Sequence, residues 1–465
     1  MPEKTEFTNL KNMDVVLAGL GRSSVAAARL LQRLGARPFI SESNDSSVIQ
    51  TWREEARRHD IPCETGGHSP GVFSGAGLIV VSPGVPQGAP CLQASREAGI
   101  PIIGELEFAG RLCTSRLLAV TGTNGKTTAT TLLAKMVETS GRSVALAGNN
   151  DTPLSEVLLK EKQPEYVVLE VSSYQLETTD RFHPAVAAVL NLTPDHLSRH
   201  GSMEGYAEAK ARIFLRQGPG DAAVLNADDP WTAAMKLPAG VERLEFSLKR
   251  PGGKTLYADA ENIYFEYTII ASIKDNPLPG RHNLANVLSA LAVMKAAGFA
   301  WEGPIAGLRA FRGVEHRIEP VMCIDGVDYY NDSKSTNMDS LRVALESFSR
   351  PVVLIAGGRG KGGDYAVLRP LIQEHVKHLV LIGEDAPKMA SAFGEIVPIT
   401  HADSMMTAAE EARRHGTPGD VVLLSPACAS FDMYDNFEVR GRDFKACVRC
   451  LAAAHTPQKN RESGT

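Results

Sequence analysis

The glycine-rich segment Val120–Thr128, with the sequence VTGTNGKTT, constrains the fold of this chain more than any other stretch. It follows the apolar run Leu117–Val120, which predicts a short buried strand, and it precedes residues 130–140, whose apolar spacing predicts a helix. A strand, a glycine turn and a helix N-terminus in this order form an anion site, because backbone N–H groups converge there and the helix dipole is positive. The segment therefore predicts a phosphate-binding loop for ATP.

Two side chains of this loop carry its predicted chemistry. Lys126 adds a full positive charge, and the hydroxyl of Thr127 is placed to bind Mg²⁺ between nucleotide phosphates. The pattern is not a strict G-x-x-x-x-G-K-[ST] motif, because Val120 stands where the first glycine would be. The alternative interpretation is a glycine turn beside a surface lysine. The residues predicted to bind ATP here are Gly122, Thr123, Asn124, Gly125, Lys126, Thr127 and Thr128.

Length and charge limit the class of protein. A chain of 465 residues predicts about three domains. The net charge of −5, from 49 basic and 54 acidic residues, gives no support for a nucleic-acid or membrane-surface partner. No run of 18 apolar residues occurs, the N-terminus is too polar for a signal peptide, and seven scattered cysteines are typical of reduced thiols. We therefore expect a cytoplasmic protein that binds neither nucleic acid nor membrane.

Residues 1–110 predict one small α/β domain. Three strands, within residues 15–18, 37–40 and 78–81, each run into a glycine or serine loop. The first loop resembles a dinucleotide-binding fingerprint, although Ser24 stands in place of its third glycine. Because ligands of open parallel sheets bind at the carboxyl ends of the strands, the three loops together predict a site for a phosphate-containing ligand. For any single loop, ordinary turn chemistry is the alternative.

The middle of the chain again alternates strands and helices. Strand 166–169 ends at Glu170, a carboxylate suited to Mg²⁺, which prefers hard oxygen ligands. His196 follows a neighbouring predicted strand and is expected in the same layer. By its helical spacing alone, Lys210 is predicted to lie on a solvated face. Beyond Asp229, short alternating runs predict additional antiparallel strands.

A third α/β segment is predicted after residue 313. Its strands end at three polar loops, which begin at Asp332, Gly357 and Ser425. As in the earlier segments, loops that follow parallel strands are expected at one edge of a sheet.

Three long stretches give the chain a family resemblance: 169–177 (LEVSSYQLE), 329–337 (YYNDSKSTN) and 424–432 (LSPACASFD). They resemble the Mur ligase family of ATP-dependent amide-bond-forming enzymes of peptidoglycan assembly, and within it the branch that adds D-glutamate. The resemblance implies three α/β domains. These are a Rossmann-like UDP-sugar-binding domain (1–110), a central P-loop ATPase-like mononucleotide-binding domain (111–313) and a C-terminal Rossmann-like amino-acid-binding domain (314–465).

The same resemblance implies the reaction and its participants. ATP would phosphorylate the alanyl carboxylate of UDP-N-acetylmuramoyl-L-alanine, D-glutamate would attack the acyl phosphate, and two Mg²⁺ ions would assist, with a monomer favoured. The implied catalytic residues are Lys126, Glu170, His196, Lys210 and Lys334, and the implied metal ligands are Thr127, Glu170, His196 and a carbamylated Lys210. Arg317 and Asp332 would complete the ATP site. The UDP-sugar would contact Gly21, Arg22, Ser23, Glu42, Ser43, Ser82, Pro83, Gly84 and Asn149, and D-glutamate would contact Lys334, Thr336, Lys361, Ser430 and Phe437.

Two alternative functions remain open at this point. One is another ligase of the same fold, which would add a different amino acid or build folate polyglutamate. The segment 425–437 lacks the Asp-Asn-Pro-Arg sequence of relatives that add meso-diaminopimelate or lysine. The other is a nucleotide-binding regulator that hydrolyses ATP without forming a bond. The chain also departs from the family pattern at Ser24, at Glu42, where aspartate is common, and at Ser198, where aspartate is expected.

Overall fold

Three β-sheets organise the chain in a computed structural model, which describes residues 10–149, 152–249, 255–360 and 362–453. The chain divides into two compact units. The first comprises residues up to 276 together with 285–311, and the second comprises 277–284 together with the residues from 312 onward. Among the described residues, no helix combines the length and the apolar character needed to cross a bilayer. The predicted α/β fold class is confirmed.

The first sheet is entirely parallel, in the order β3-β2-β1-β4-β5. Because a hydrophobic core covers each of its faces, its central strands are continuous apolar runs. The strand order reverses between β1 and β4, so the loops that follow these two strands flank a crevice. The strands are β1 (Asp14–Ala18), β2 (Arg37–Ser41), β3 (Cys63–Glu64), β4 (Leu78–Val81) and β5 (Ile102–Gly104), and the helices are α1 (Arg22–Arg33), α2 (Ser47–Arg58), α3 (Gln93–Glu97) and α4 (Glu105–Leu112).

The second sheet has nine strands in the order β14-β13-β12-β11-β10-β9-β6-β8-β7. Its last two pairings, β12 with β13 and β13 with β14, are antiparallel, which confirms the prediction of added antiparallel strands. The strands are β6 (Arg116–Thr121), β7 (Val144–Gly148), β8 (Tyr166–Glu170), β9 (Val186–Val189), β10 (Ala222–Asn226), β11 (Glu242–Ser247), β12 (Thr255–Ala258), β13 (Asn262–Phe265) and β14 (Thr268–Ser272).

The helices of this part of the chain place the candidate site at the carboxyl edge of the second sheet. Helix α5 follows β6 directly, with the phosphate loop between them. The helices are α5 (Lys126–Thr139), α6 (Leu154–Leu158), α7 (Ser173–Leu176), α8 (Leu197–His200), α9 (Met203–Ala211), α10 (Pro230–Ala233), α11 (Arg281–Ala296) and α12 (Glu302–Ala310). The helical segment on which Lys210 lies is α9 followed by a 3₁₀ turn, Arg212–Phe214.

The third sheet, in the second unit, has the order β15-β16-β20-β17-β18-β19, with only the β15–β16 pair antiparallel. Polar loops follow β16, β17 and β20, as the sequence predicted. The strands are β15 (Glu319–Ile324), β16 (Val327–Asn331), β17 (Val352–Gly357), β18 (Val376–Ile382), β19 (Ile399–His401) and β20 (Val421–Leu424), and the helices are α13 (Met338–Leu345), α14 (Arg369–His375), α15 (Ala386–Phe393), α16 (Met405–His415) and α17 (Phe437–Ala453).

A buried carboxylate ties the first two sheets together within the first unit. Glu107 of α4 is 0% exposed and accepts hydrogen bonds from the backbone N–H groups of Asp180, Arg181 and Phe182, at 3.0, 2.8 and 2.9 Å. Arg111, one turn along α4, pairs with the same carboxylate at 2.6 Å. A buried charge is tolerated when it is both paired and hydrogen-bonded. Glu107 therefore fixes the segment after α7 against α4.

Candidate active site

The phosphate loop has the backbone geometry that its glycines allow. Gly122 and Gly125 have φ values of +154° and +82°, which side-chain-bearing residues rarely adopt. A Cβ at Gly125 would also overlap the side-chain amide of Asn286, a buried residue of α11. Gly125 is the N-cap of α5, so Lys126 and Thr127 occupy its first turn. The loop therefore presents a helix N-terminus, as predicted, but α5 begins at Lys126, four residues before the helix predicted over 130–140.

Asn191, a residue that the sequence reasoning missed, braces this loop. Its carbonyl accepts from the N–H of Thr123 at 3.0 Å, and its side-chain oxygen accepts from the N–H of Asn124 at 2.8 Å. Its amide group donates in turn to the carbonyl of Asn124 at 3.1 Å. Its position just after β9, which pairs with β6, is the signal that could have identified it.

Two lysines converge on one backbone carbonyl of the loop. Lys126 Nζ donates to the carbonyls of Gly122 and Thr123 at 2.9 and 2.8 Å, and Lys210 Nζ donates to the same Gly122 carbonyl at 2.9 Å. Lys210 is 1% exposed, so the prediction of a solvated face residue was wrong: α9 packs this side chain against the loop instead. Burial, together with the nearby charge of Lys126, lowers the pKa of Lys210 to about 6.

Glu170 has the environment of a cation ligand. It lies at the end of β8, in register with Val120 of β6, and is 3% exposed. One carboxylate oxygen accepts from the Asn149 side chain at 3.1 Å, whereas the other, Oε2, is buried and has no hydrogen-bond partner among the residues that the structure describes. A buried carboxylate oxygen without a donor suits a hard cation such as Mg²⁺. This site fits the metal that the sequence predicted.

His196 lies on a more open part of the same edge. It caps α8 in the left-handed conformation, with φ +52°, and its side chain is 48% exposed. Its ring lies 5.0 Å from the ring of Tyr174, and the Arg199 guanidinium covers that tyrosine ring at 4.6 Å. Arg199 also pairs with Glu177 at 2.7 Å. The histidine is therefore held by an aromatic contact that is itself fixed by an ion pair.

A cavity of about 650 Å³ occupies the crevice between β1 and β4. Four of the residues predicted to bind the UDP-sugar line it, namely Glu42, Ser43, Ser82 and Gly84. The others are not part of its lining: Gly21 and Pro83 belong to the loops after β1 and β4, Arg22 and Ser23 open α1, and Asn149 contacts Glu170.

Hydrogen bonds near this cavity explain two of the departures from the family pattern, Ser24 and Glu42. The buried hydroxyl of Ser24 donates to the carbonyl of Gly19 at 2.6 Å. The serine side chain therefore stabilises this turn by a hydrogen bond that a glycine at the same position could not make. The carboxylate of Glu42 accepts from the N–H of Leu20 at 2.9 Å and of Asn44 at 2.7 Å. Its longer side chain therefore links the loop after β1 to the loop after β2.

The candidate residues of the second unit cluster on the loops after β16 and β20. Lys334 Nζ lies 5.2 Å from the ring centre of Phe437, the first residue of α17, and the Lys334 N–H donates to the carbonyl of His316 at 3.1 Å. Ser430 is buried and Thr336 is half-buried. Arg317 is exposed. The predicted contact Lys361 falls outside the described residues.

Asp332 is a carboxyl group held in a dry environment. It is 6% exposed and accepts from Ser425 Oγ at 2.8 Å and from the N–H of Ile318 at 3.2 Å. Burial outweighs these bonds and raises the pKa of Asp332 to about 7. Between the ordinary aspartate pKa and about 7, the folded protein therefore holds a proton that the unfolded chain releases, so stability falls as the pH rises through this window.

We expect Asp332→Asn to stabilise the protein more at pH 8 than at pH 5, with a gain at pH 8 on the order of 2 kcal/mol. Asparagine keeps an acceptor for the Ile318 N–H but carries no charge to bury. Chemical denaturation at the two pH values measures the difference, with Asp339→Asn on α13 as an exposed control. An equal gain at both pH values would contradict the assigned cause.

A cluster of two glutamates and a histidine in the second unit is neutralised by a lysine. Ligand atoms of Glu315, His316 and Glu319 lie within 4.8 Å of one another. Lys445 Nζ, however, lies 2.6 Å from Glu315 and 2.9 Å from Glu319, which places a cation there already. We therefore interpret this cluster as an ion-pair network that holds α17 rather than as a metal centre.

Comparison with known families divides the chain into three matched regions. Residues 13–104 match the Mur ligase MurD-like N-terminal domain, residues 120–294 match the Mur ligase middle domain, and residues 316–428 match the Mur ligase glutamate ligase domain.

Curated relatives extend this likeness to nearly the whole chain. A UDP-N-acetylmuramoylalanine–D-glutamate ligase of Acidobacterium capsulatum is 41% identical, over 94% of this chain and 96% of that protein. A ligase of the same description from Koribacter versatilis is 40% identical, over 96% of this chain and 99% of that protein.

Solved structures resemble the fold at lower identity. The MurC ligase of Thermotoga maritima superposes with a TM-score of 0.59 at 19% identity, covering 95% of this chain and 100% of that one. MurF of Acinetobacter baumannii gives a TM-score of 0.59 at 18% identity, covering 88% and 91% of the two chains. At these identities the likeness bears on the fold alone.

Proposed function

Because the chain belongs to the Mur ligase family, we propose that it joins D-glutamate to UDP-N-acetylmuramoyl-L-alanine in peptidoglycan precursor synthesis, with ATP converted to ADP and phosphate. The observation that carries this proposal is the identity of 40–41% to D-glutamate ligases along nearly the full length of both chains. In this proposal the partners are the three substrates, and the enzyme acts as a cytoplasmic monomer.

The reaction proceeds in two chemical steps. A carboxylate oxygen of the alanyl group attacks the γ-phosphorus of ATP, and the bond to the β–γ bridging oxygen breaks, which gives an acyl phosphate and ADP. The unprotonated amine of D-glutamate then attacks the acyl carbon, and the tetrahedral intermediate expels phosphate and releases a proton to form the amide. Both steps depend on positioning and charge neutralisation more than on covalent help from the protein.

The phosphate loop supplies most of that neutralisation from the protein. Its N–H groups and the N-terminus of α5 bind the nucleotide phosphates, and Lys126 exchanges its two backbone carbonyl contacts for the β- and γ-phosphate oxygens. The hydrogen bonds between Asn191 and Asn124 keep the phosphate loop in one conformation during phosphoryl transfer. Arg317 and Asp332 of the second unit are proposed to contact the nucleotide phosphates and the ribose.

The donor set at the edge of the second sheet fits Mg²⁺. Thr127, Glu170 and His196 would hold it, and the unpartnered Oε2 of Glu170 supports that assignment. When bound, Mg²⁺ neutralises negative charge on the phosphoryl group in transfer. The proposal includes two ions, the second held in part by Lys210 in a modified form.

The burial of Lys210 supports that modification. Its amine, with a pKa of about 6, is unprotonated at neutral pH, and an unprotonated amine is the form that attacks carbon dioxide. The nitrogen lone pair forms the N–C bond and one proton leaves, so a buried neutral amine becomes a carbamate anion. This change would place an anion beside the Lys126 ammonium, where a neutral amine stood before, and the two charges would attract each other.

The remaining substrates are assigned to the cavity and to the second unit. The UDP-sugar is proposed to occupy the crevice between β1 and β4, with its diphosphate at the loops that begin at Gly19 and Ser82. D-glutamate is proposed to bind Lys334, Thr336, Lys361 and Ser430, with Phe437 against its apolar stem. Cations and neutral donors suit its two carboxylates.

An amino-acid panel tests the function directly. Purified enzyme with ATP, Mg²⁺ and UDP-N-acetylmuramoyl-L-alanine is expected to release phosphate with D-glutamate at a kcat/KM at least 100-fold above that with L-glutamate, L-lysine or meso-diaminopimelate. Mass spectrometry of the product checks that one amide has formed.

Each alternative predicts a different result from the same panel. Preference for a diamino acid would show a ligase of another specificity. Phosphate release that needs no amino acid and gives no amide would show an ATP-hydrolysing regulator. Either outcome would overturn the proposal.

A further inference from the structure

Arg440 is the largest fully buried side chain among the described residues, and the site described above makes no use of it. It lies on α17, one turn after Phe437, and is 1% exposed. Arginine is almost never fully buried unless it is paired. In the described part of the chain, its hydrogen-bond partners are three neutral oxygens, and the carboxylate of Asp432 favours its charge through space without a hydrogen bond.

Those three bonds join the two loops that carry the proposed D-glutamate contacts. Arg440 Nε donates to Ser333 Oγ at 3.0 Å, and Nη2 donates to the carbonyls of Ser333 at 2.9 Å and Cys428 at 3.1 Å. Ser333 precedes Lys334, and Cys428 lies two residues before Ser430. One planar guanidinium thus fixes the spacing between the loop after β16 and the loop after β20.

The same contact reaches the start of α17. Ser333 Oγ accepts from Arg440 and donates its own proton to the carbonyl of Phe437 at 2.8 Å. Phe437 is the proposed wall of the pocket. Ser333 therefore couples Arg440 to two pocket residues: its backbone leads directly to Lys334, and its side chain is bonded to Phe437.

The charge of Arg440 has a cost that a merely structural contact would not require. Within the described ranges, its Nη1 is buried without a hydrogen-bond partner, next to Gly358, where an added Cβ would lie 3.2 Å from this nitrogen. A neutral amide in the same place would avoid the burial of a cation. Retention of a cation behind a pocket for a substrate with two carboxylates is explained if its charge attracts the substrate.

We propose that Arg440 is the positioning residue of the amino-acid pocket, which holds the Ser333–Lys334 and Cys428–Ser430 segments at the spacing that a dicarboxylic substrate requires and adds a buried positive charge behind them. Arg440 does not touch the substrate itself. This inference rests on the proposed function, because it takes these loops as the D-glutamate site.

Two variants separate the geometry from the charge. Arg440→Lys keeps the charge but cannot make the forked contact to both loops, and we expect it to raise the KM for D-glutamate about tenfold. Arg440→Gln loses the charge as well, and we expect a rise of about 100-fold. The KM values for ATP and for the UDP-sugar should stay within about twofold of wild type. Arg449→Gln, at an exposed position of the same helix, is the matched control and should change none of them.

Equal rises in all three KM values, or a fall in kcat alone, would show a general structural role and overturn the inference. If Arg440→Gln fails to fold, as judged by circular dichroism and thermal melting, the lysine variant decides the question by the same comparison of KM values. If the wild-type panel shows a different amino acid, the proposed function fails, and the KM for that amino acid then tests Arg440 independently.

Discussion

Alanine in place of Lys126 is expected to lower kcat/KM by at least 100-fold, which corresponds to a loss of about 3 kcal/mol of transition-state stabilisation. In the proposed reaction, the ammonium group meets the phosphoryl group as negative charge builds up on it. The fold should survive, because Lys126 is only half-buried and donates to loop carbonyls that solvent can satisfy. Initial rates of phosphate release measure the effect.

Lys135→Ala provides the control for Lys126→Ala. Lys135 lies on the same helix and pairs with Glu138 on the exposed surface, so its loss should change the rate by less than about twofold. Turnover of Lys126→Ala at the wild-type rate would remove the basis for the phosphate-loop assignment.

A second large effect is expected at Lys210. Lys210→Ala should lose at least 100-fold in kcat, because it removes the side chain proposed to carry the carbamate, and a short carboxylic acid in the buffer should restore part of the activity. Labelled bicarbonate offers a measurement that does not depend on activity: the wild type should show a carbamate carbon signal in a ¹³C spectrum, and Lys210→Ala should lack that signal.

Lys236 gives a contrast for this experiment, since it is exposed. Lys236→Ala should keep both the carbamate signal and the activity of the wild type. A wild-type sample equilibrated with bicarbonate that shows only free amine would contradict the carbamate. Activity of Lys210→Ala within tenfold of wild type would argue that the lysine is needed for packing alone.

The strands and the phosphate loop could be predicted from the sequence because their signals are local. The apolar run before Gly122 fits a strand buried on both faces, and only glycine adopts the φ values observed at Gly122 and Gly125 without strain. Strand 78–81 was predicted at its observed bounds, since apolar residues end there abruptly at Ser82. The family resemblance, drawn from three stretches in separate parts of the chain, is confirmed by the relatives.

The environment of Lys210 could not be predicted from its helical spacing. Helix α9 has little apolar asymmetry, so its sequence does not indicate which face is buried. Its burial results from packing against a loop that lies 88 residues earlier in the chain. The same limit applies to Arg440, whose partner Ser333 is 107 residues away, and to Asn191, whose brace depends on the pairing of β9 with β6. Contacts of this length leave no periodic trace in a single sequence.

The buried carboxylate of Glu107 has a thermodynamic consequence for the first unit. To separate α4 from the segment after α7, the protein would have to expose three backbone N–H groups and an ionised side chain at once, so the two sheets are expected to melt in a single cooperative transition. A ligand that binds only the folded form of one sheet then raises the melting temperature of both. Saturation with a nucleotide sugar would thus protect the amide hydrogens of β6 and β8 from exchange, although that ligand contacts neither strand.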